Sequence, residues 1–213
     1  MARKRVAVLI SGRGSNMAAL IDAAKAPDYP AEIALVVSNR PAAGGLATAQ
    51  AAGIATAVVD HTAYRNDRTA FERAMQTELE RHRIDIVCLA GFMRLLTPWF
   101  IARWPQRLLN IHPALLPAFK GLDTHRRALE AGVKRHGATV HFVVPEMDSG
   151  PIILQGAVPV EPGDTDAILA KRVLAVEHAI YPQALRLVAE SRVTVRDGHC
   201  VIDGKRVPDA DEH

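Results

Sequence analysis

Val6-Ala7-Val8-Leu9-Ile10 is an unbroken apolar run that ends abruptly in Ser11-Gly12-Arg13-Gly14. A strand apolar at every position has both faces buried, which is the situation of a parallel sheet covered by helices on each side. Met17, Leu20, Ile21 and Ala24 follow at i, i+3, i+4 and i+7, one apolar helical stripe. The alternation then repeats, with strands expected over 33–37 and 55–59 and a short helix over 46–52 between them. Residues 67–81 read as a helix burying Phe71, Met75 and Leu79. Residues 84–90 form the most apolar strand, expected at the centre of the sheet. Strand–helix–strand units repeated in this way wind right-handed, so the fold class is α/β. The expected architecture is an open, mostly parallel twisted sheet with helices on both faces.

A short strand over 107–110 is broken by Pro113 and Pro117, and a helix over 123–131 follows. After Gly137 the character changes. Strands over 138–144 and 152–160, joined by a loop running from Pro145 to Pro151, fit an antiparallel hairpin-like part. The longest helix is expected over 165–190, capped by Asp164 or Thr165, with Leu169, Val173, Val176, Ile180, Ala184 and Leu187 as its buried stripe. Pro182 inside it predicts a kink or a break. With no repeat, low-complexity tract or linker, the chain reads as one domain over 1–203. A polar tail over 204–213, carrying Asp209, Asp211 and Glu212, is expected to fray.

Composition removes several classes. An apolar fraction of 49% with 23% charged residues excludes a disordered chain, a fibre and a coiled-coil rod. Lys and Arg number 26 against 23 Asp and Glu, and much of the excess lies in Arg3, Lys4 and Arg5, so no basic face for nucleic acid is expected. Cys88 and Cys200 are far apart and outside any C-x-x-C spacing, which argues against a disulfide framework or zinc site and for a reducing cytoplasm. The five-residue run at 6–10 is shorter than the roughly 7–15 of a signal-peptide core, and no run nears the ~18 of a membrane span.

Two polar clusters carry chemistry. The glycine loop 11–16 joins a strand to a helix N-terminus, where free N–H groups and the helix dipole suit a phosphate. Position 17 is Met, so the dinucleotide fingerprint is incomplete, although Arg40 could face the 2′-phosphate of NADP. A tight turn that binds nothing also fits that loop. Asn110 and His112, at i and i+2, point to one side of an extended backbone at the strand edge where α/β sheets place ligands. Asn offers a donor to a developing oxyanion, and His a proton mobile near neutral pH. Asp148, in the later glycine-flanked loop, would hold His112 charged and oriented. His136 and His141 do not share a helical face, and no third ligand is spaced for a metal.

Six ordered motifs carry a family resemblance. They are Ser11-Gly-Arg-Gly-Ser-Asn16, Leu89-Ala-Gly-Phe-Met-Arg-Leu-Leu96, Leu109-Asn-Ile-His-Pro-Ala-Leu-Leu-Pro117, His136-Gly-Ala-Thr-Val-His141, Met147-Asp-Ser-Gly-Pro-Ile-Ile-Leu154 and Glu177-His-Ala-Ile-Tyr-Pro182. Together, from Val6 to Pro182, they resemble the phosphoribosylglycinamide formyltransferase family, folate-dependent enzymes of purine synthesis with a Rossmann-like fold. The resemblance implies that 10-formyltetrahydrofolate is the co-substrate and that no metal takes part. It implies Asn110, His112 and Asp148 as the catalytic trio. Gly14, Ser15 and Asn16, with Leu174, Ala175, Val176 and Glu177, would hold the ribonucleotide. Arg68, Met93, Arg94, Leu95 and Leu96, Asn110, and Val144, Pro145, Glu146, Met147 and Asp148 would hold the folate. A ribonucleotide part over about 1–90 and a folate-binding and catalytic part over about 91–190 follow. Arg13 stands where other members often carry a different polar residue.

The implied partners are these small molecules, with no nucleic acid and no membrane, and a homodimer is compatible with the family. The family's cousins, a tRNA formyltransferase and a formyltetrahydrofolate hydrolase, carry an extra domain for which these 213 residues leave no room. An NADP reductase and a non-catalytic sugar-phosphate binder are the rival readings.

Overall fold

Alternate residues of the first strand feed two different cores. Val6, Val8 and Ile10 pack to one side and Ala7 and Leu9 to the other, all without exposure. In the computed structural model, which describes residues 2–65 and 67–208, this strand (β1, Lys4–Ile10) lies inside a seven-stranded sheet. Its partners are β2 (Ala31–Ser38), β3 (Ala55–Val58), β4 (Ile86–Leu89), β5 (Leu108–His112), β6 (Arg135–Phe142) and β7 (Ile152–Pro159), in the order β3-β2-β1-β4-β5-β6-β7. The pairings among β1 to β5 are parallel. β6 runs antiparallel to β5, and β7 antiparallel to β6. The most apolar strand, β4, is central.

Helices cover both faces. α1 (Ser15–Ala24), α2 (Gly44–Ala51) and α6 (Asp166–Ala189) pack on the face of Val6, Val8 and Ile10 through Met17, Leu20, Leu46, Val173 and Tyr181. α3 (Arg68–Arg81) and the short α4 (Pro98–Ile101) pack on the other through Phe71, Met75, Leu79 and Phe100. α5 (Thr124–Glu130) lies against α6. The Asp67 side chain caps α3 by accepting from Ala70 N–H at 2.9 Å, and the Thr165 hydroxyl caps α6 by accepting from Ile168 N–H at 3.3 Å.

Of the kink or break expected at Pro182, no break occurs, and α6 is continuous across it. Pro182 deprives the preceding turn of one N–H, but packing outweighs that loss. Ile180, Tyr181, Ala184 and Leu185 are all buried, and the Tyr181 hydroxyl donates to the Leu89 carbonyl at 3.0 Å, pinning the helix to the sheet centre.

Beyond α6 the chain forms a small antiparallel sheet that the sequence reading lacked: β8 (Val193–Arg196), β9 (His199–Ile202) and β10 (Lys205–Arg206). Lys205 and Arg206 fall within the expected tail, yet they pair with β9. Val193 and Cys200 bury this sheet against the first core. Asp209, Asp211 and Glu212 lie outside the described residues. Among the described residues no helix is long and apolar enough to cross a membrane.

Candidate active site

The chain winds from β1 outward to β2 and β3, then crosses back to place β4 on the other side of β1. Loops leaving the C-terminal ends of β1 and β4 therefore diverge and open a crevice, the place where open α/β sheets receive ligands. A cavity of about 310 Å³ occupies it, lined by residues 11–16, Arg40, Ala90, Gly91 and Met93. Arg13 and Arg40 bring positive charge, and among the described residues no carboxylate lines the cavity.

The glycines shape this cradle. Gly14 has φ 71° and immediately precedes α1, a left-handed conformation that side chains disfavour. Gly45, at the start of α2, donates its N–H to the Gly12 carbonyl at 3.0 Å. A Cβ on Gly45 would lie 2.6 Å from the end of the Ile10 side chain and 3.2 Å from the Gly12 and Arg13 carbonyl oxygens, so glycine lets α2 close on the loop without displacing them. The first turn of α1 holds no acidic residue, which leaves its N–H groups suited to an anion.

Asn16, in that turn, donates from Nδ2 to Glu177 Oε2 at 2.5 Å, while its buried Oδ1 has no hydrogen-bond partner among the described residues. Burial raises the Glu177 carboxyl above its usual range, and the Asn16 bond partly offsets the effect. The two segments expected to hold a ribonucleotide, 14–16 and 174–177, are thus joined by a direct contact. Leu174 and Val176 are half-buried and Ala175 exposed on the same stretch of α6.

Asn110 and His112 project from β5 on the face away from Leu109 and Ile111, which sit in the first core. The loop between β6 and β7 folds back so that Asp148 Oδ2 lies 3.5 Å from His112 Nδ1. The same oxygen accepts from Gly121 N–H at 2.9 Å. His112 Nε2 lies 3.0 Å from the Phe119 carbonyl. Both ring nitrogens therefore face oxygens. His112 and Asp148 are almost wholly buried at their side chains, 6% and 10% exposed, which strengthens their attraction.

Residue spacing gives His141 no role, yet the antiparallel register puts it directly across from Asn110. Its Nδ1 donates to the Phe142 carbonyl at 2.8 Å. Burial lowers its pKa, so the ring stays neutral and Nε2 accepts from Asn110 Nδ2 at 3.2 Å. Nε2 is also 3.9 Å from Asp148 Oδ1. Nothing in residue spacing reveals this partner, because it depends on how β6 aligns with β5.

The expected folate residues divide. Met93 and Leu95 are each 61% exposed and Met147 49%, large apolar groups open at the site, with Arg94, Leu96 and Val144 half-buried and Pro145 and Glu146 exposed. Met147 Cε lies 3.6 Å from where a Cβ on Gly121 would be, so the β6–β7 loop meets segment 119–121 beside the trio. Arg68 is exposed at the start of α3; among the described residues no hydrogen bond or ion pair ties it to these groups. Among the described residues no three His, Cys, Asp or Glu side chains are grouped to hold a metal ion.

The formyl transferase family model matches residues 4–185. Over 203 residues the chain is 45% identical to the phosphoribosylglycinamide formyltransferase of Escherichia coli (strain K12), covering 95% of each. It is 53% identical over 191 residues, 90% of its own length, to the trifunctional purine biosynthetic protein adenosine-3 of Homo sapiens, of which it spans only 19%. Its fold superposes on glycinamide ribonucleotide transformylase 1 from Symbiobacterium toebii with a TM-score of 0.91 and 48% identity, covering 94% of both chains.

Proposed function

The chain belongs to the formyl transferase family, and from that premise we propose that it transfers a formyl group from 10-formyltetrahydrofolate to the amine of 5′-phosphoribosylglycinamide. The products are formylglycinamide ribonucleotide and tetrahydrofolate, a step of purine synthesis. The observation that carries this reading is that Asp148 Oδ2 lies 3.5 Å from His112 Nδ1 on the strand next to β4, whose following residues line a cavity with two arginines.

Gly14, Ser15 and Asn16 bind the 5′-phosphate through helix N–H groups, and Glu177 receives ribose hydroxyls. Met93 to Leu96, Val144 to Asp148 and Arg68 hold the folate. The amine attacks the formyl carbon, a C–N bond forms, and negative charge gathers on the formyl oxygen. Asn110 Nδ2–H and the His112 imidazolium stabilise that charge, each donor worth about 3–4 kcal/mol when well placed. Asp148 keeps His112 charged, and protons pass from the attacking amine toward the departing folate nitrogen. The formyl group is already activated on its folate nitrogen, so this route requires no metal. The substrates and the free cysteines Cys88 and Cys200 fit a reducing cytoplasm.

The test supplies both substrates and follows loss of the formyl group from folate with and without the ribonucleotide. Release that depends on the ribonucleotide is expected. Release without it indicates a hydrolase, and ribonucleotide binding with no release indicates a sugar-phosphate binder. His112→Ala and Asp148→Asn are each expected to lower kcat by about 100-fold or more while ribonucleotide binding survives. Near-normal turnover in either variant would overturn the assignment.

A further inference from the structure

Two buried polar side chains outside the trio hold the segment between β4 and α4. At its far end Glu72 of α3, 1% exposed, accepts from Thr97 N–H at 2.7 Å and from the Thr97 hydroxyl. At its near end stands Ser11, the first residue after β1 and 5% exposed. The Ser11 hydroxyl accepts from Met93 N–H at 2.8 Å and donates to Asn39 Oδ1 at 2.6 Å. Asn39, directly after β2 and 1% exposed, is in turn held by His61, whose Nδ1 lies 2.8 Å from the Asn39 carbonyl. One hydroxyl therefore ties together the loops that leave β1, β2 and β4. Buried polar atoms are costly unless paired, and here each partner depends on the same oxygen.

The placement of this oxygen matters because of its neighbours. Gly14 to Asn16 begin three residues further along the chain. Met93 opens the segment 93–96, and both segments border the cavity. We propose that Ser11 is a positioning residue that couples the two substrate sites, fixing the folate segment when the glycine loop is held by the ribonucleotide. The proposal rests on the function given above. The loop after Ser11 is held at the Gly12 carbonyl by Gly45 N–H, and a phosphate on the 14–16 N–H groups adds a second anchor. Ser11 is then fixed, and through it Met93, so the second substrate meets a segment already ordered and binds more tightly.

The experiment titrates tetrahydrofolate, which carries no formyl group and cannot react, into the full chain by calorimetry. It is run with and without saturating 5′-phosphoribosylglycinamide. In the wild type the ribonucleotide is expected to tighten tetrahydrofolate binding by about 5-fold or more. In Ser11→Ala the ratio should fall below about 2-fold, because the link between the loops is gone. Ser11→Cys keeps the volume with a much weaker donor and acceptor, and gives the same reading if the alanine variant does not fold. A general loss of packing would weaken both affinities without abolishing their ratio. A ratio unchanged in the folded variant, or a wild type that transfers formyl yet shows no coupling, overturns the proposal. Failure of the underlying function looks different: the wild type would then release no formyl group on addition of the ribonucleotide.

Discussion

The two nitrogens of His141 have opposite tasks, and only a neutral ring performs both. Nδ1 donates to the Phe142 carbonyl and Nε2 accepts from Asn110, which fixes the amide and leaves its other N–H free for substrate. His141→Ala frees that amide to rotate, and kcat is expected to fall about 10- to 100-fold, since a small misplacement of a reacting group has that effect. His141→Gln, which retains an acceptor, should recover part of the loss; steady-state rates check both. His136 shows the other consequence of a buried imidazole. It is fully buried against the rings of Phe119 and His125. Burial, and then the charge of His125, lowers its pKa from 6.5 to about 4. Above pH 6.5 folded and unfolded chains both hold it neutral. Below that the unfolded chain takes up a proton that the folded chain refuses, so stability is lost as pH falls from 6.5 toward 4. Denaturant melts between pH 7 and pH 4.5 should show a loss about 1–2 kcal/mol smaller in His136→Leu than in the wild type. Equal slopes would show that His136 titrates normally.

Among the elements, the β6–β7 connection depends on one glycine. A Cβ on Gly150 would lie 1.7 Å from the Phe142 carbonyl, so any other residue forces the loop off β6 and takes Asp148 with it. Gly150→Ala is expected to reduce kcat as far as Asp148→Asn does and to lower the melting temperature, with a wild-type rate counting against the loop's role. All seven strands of the main sheet and the helices α1, α2, α3, α5 and α6 are legible in the sequence, because each carries an apolar run or stripe of its own. α4 spans four residues, too few for a helical stripe to emerge, although Thr97 before Pro98 is a helix-start signal. β8 to β10 are equally short, and their turns are Asp197-Gly198 and Asp203-Gly204, all at positive φ, the dipeptide that marks a tight hairpin. Each Asp-Gly stands among polar residues without a long apolar run beside it. Asn110 and His112 were legible because a period of two is written along one strand. His141 and Ser11 were not, since their roles arise from the alignment of different strands.

At the scale of the whole molecule, the sheet separates two cores and turns its C-terminal edge into the site. The order of strands places β1 beside β4, and from that single adjacency come the cavity, the glycine loop and the tie through Ser11. The fold brings both free thiols inside: Cys88 on the central strand is 0% exposed and Cys200 on the small sheet 1%. Burial pushes each thiol up to about 12, so at neutral pH neither reacts while its surroundings stay closed. The chain therefore carries two internal clocks. A thiol reagent in excess should label Cys88 only when the whole sheet opens, and Cys200 at the rate at which β8 to β10 lift from the first core. Labelling of Cys200 well ahead of Cys88 would mark the C-terminal sheet as a separately opening unit, and simultaneous labelling would make it part of one cooperative fold. The same two sulfurs that contribute nothing to the chemistry thus record how the molecule comes apart.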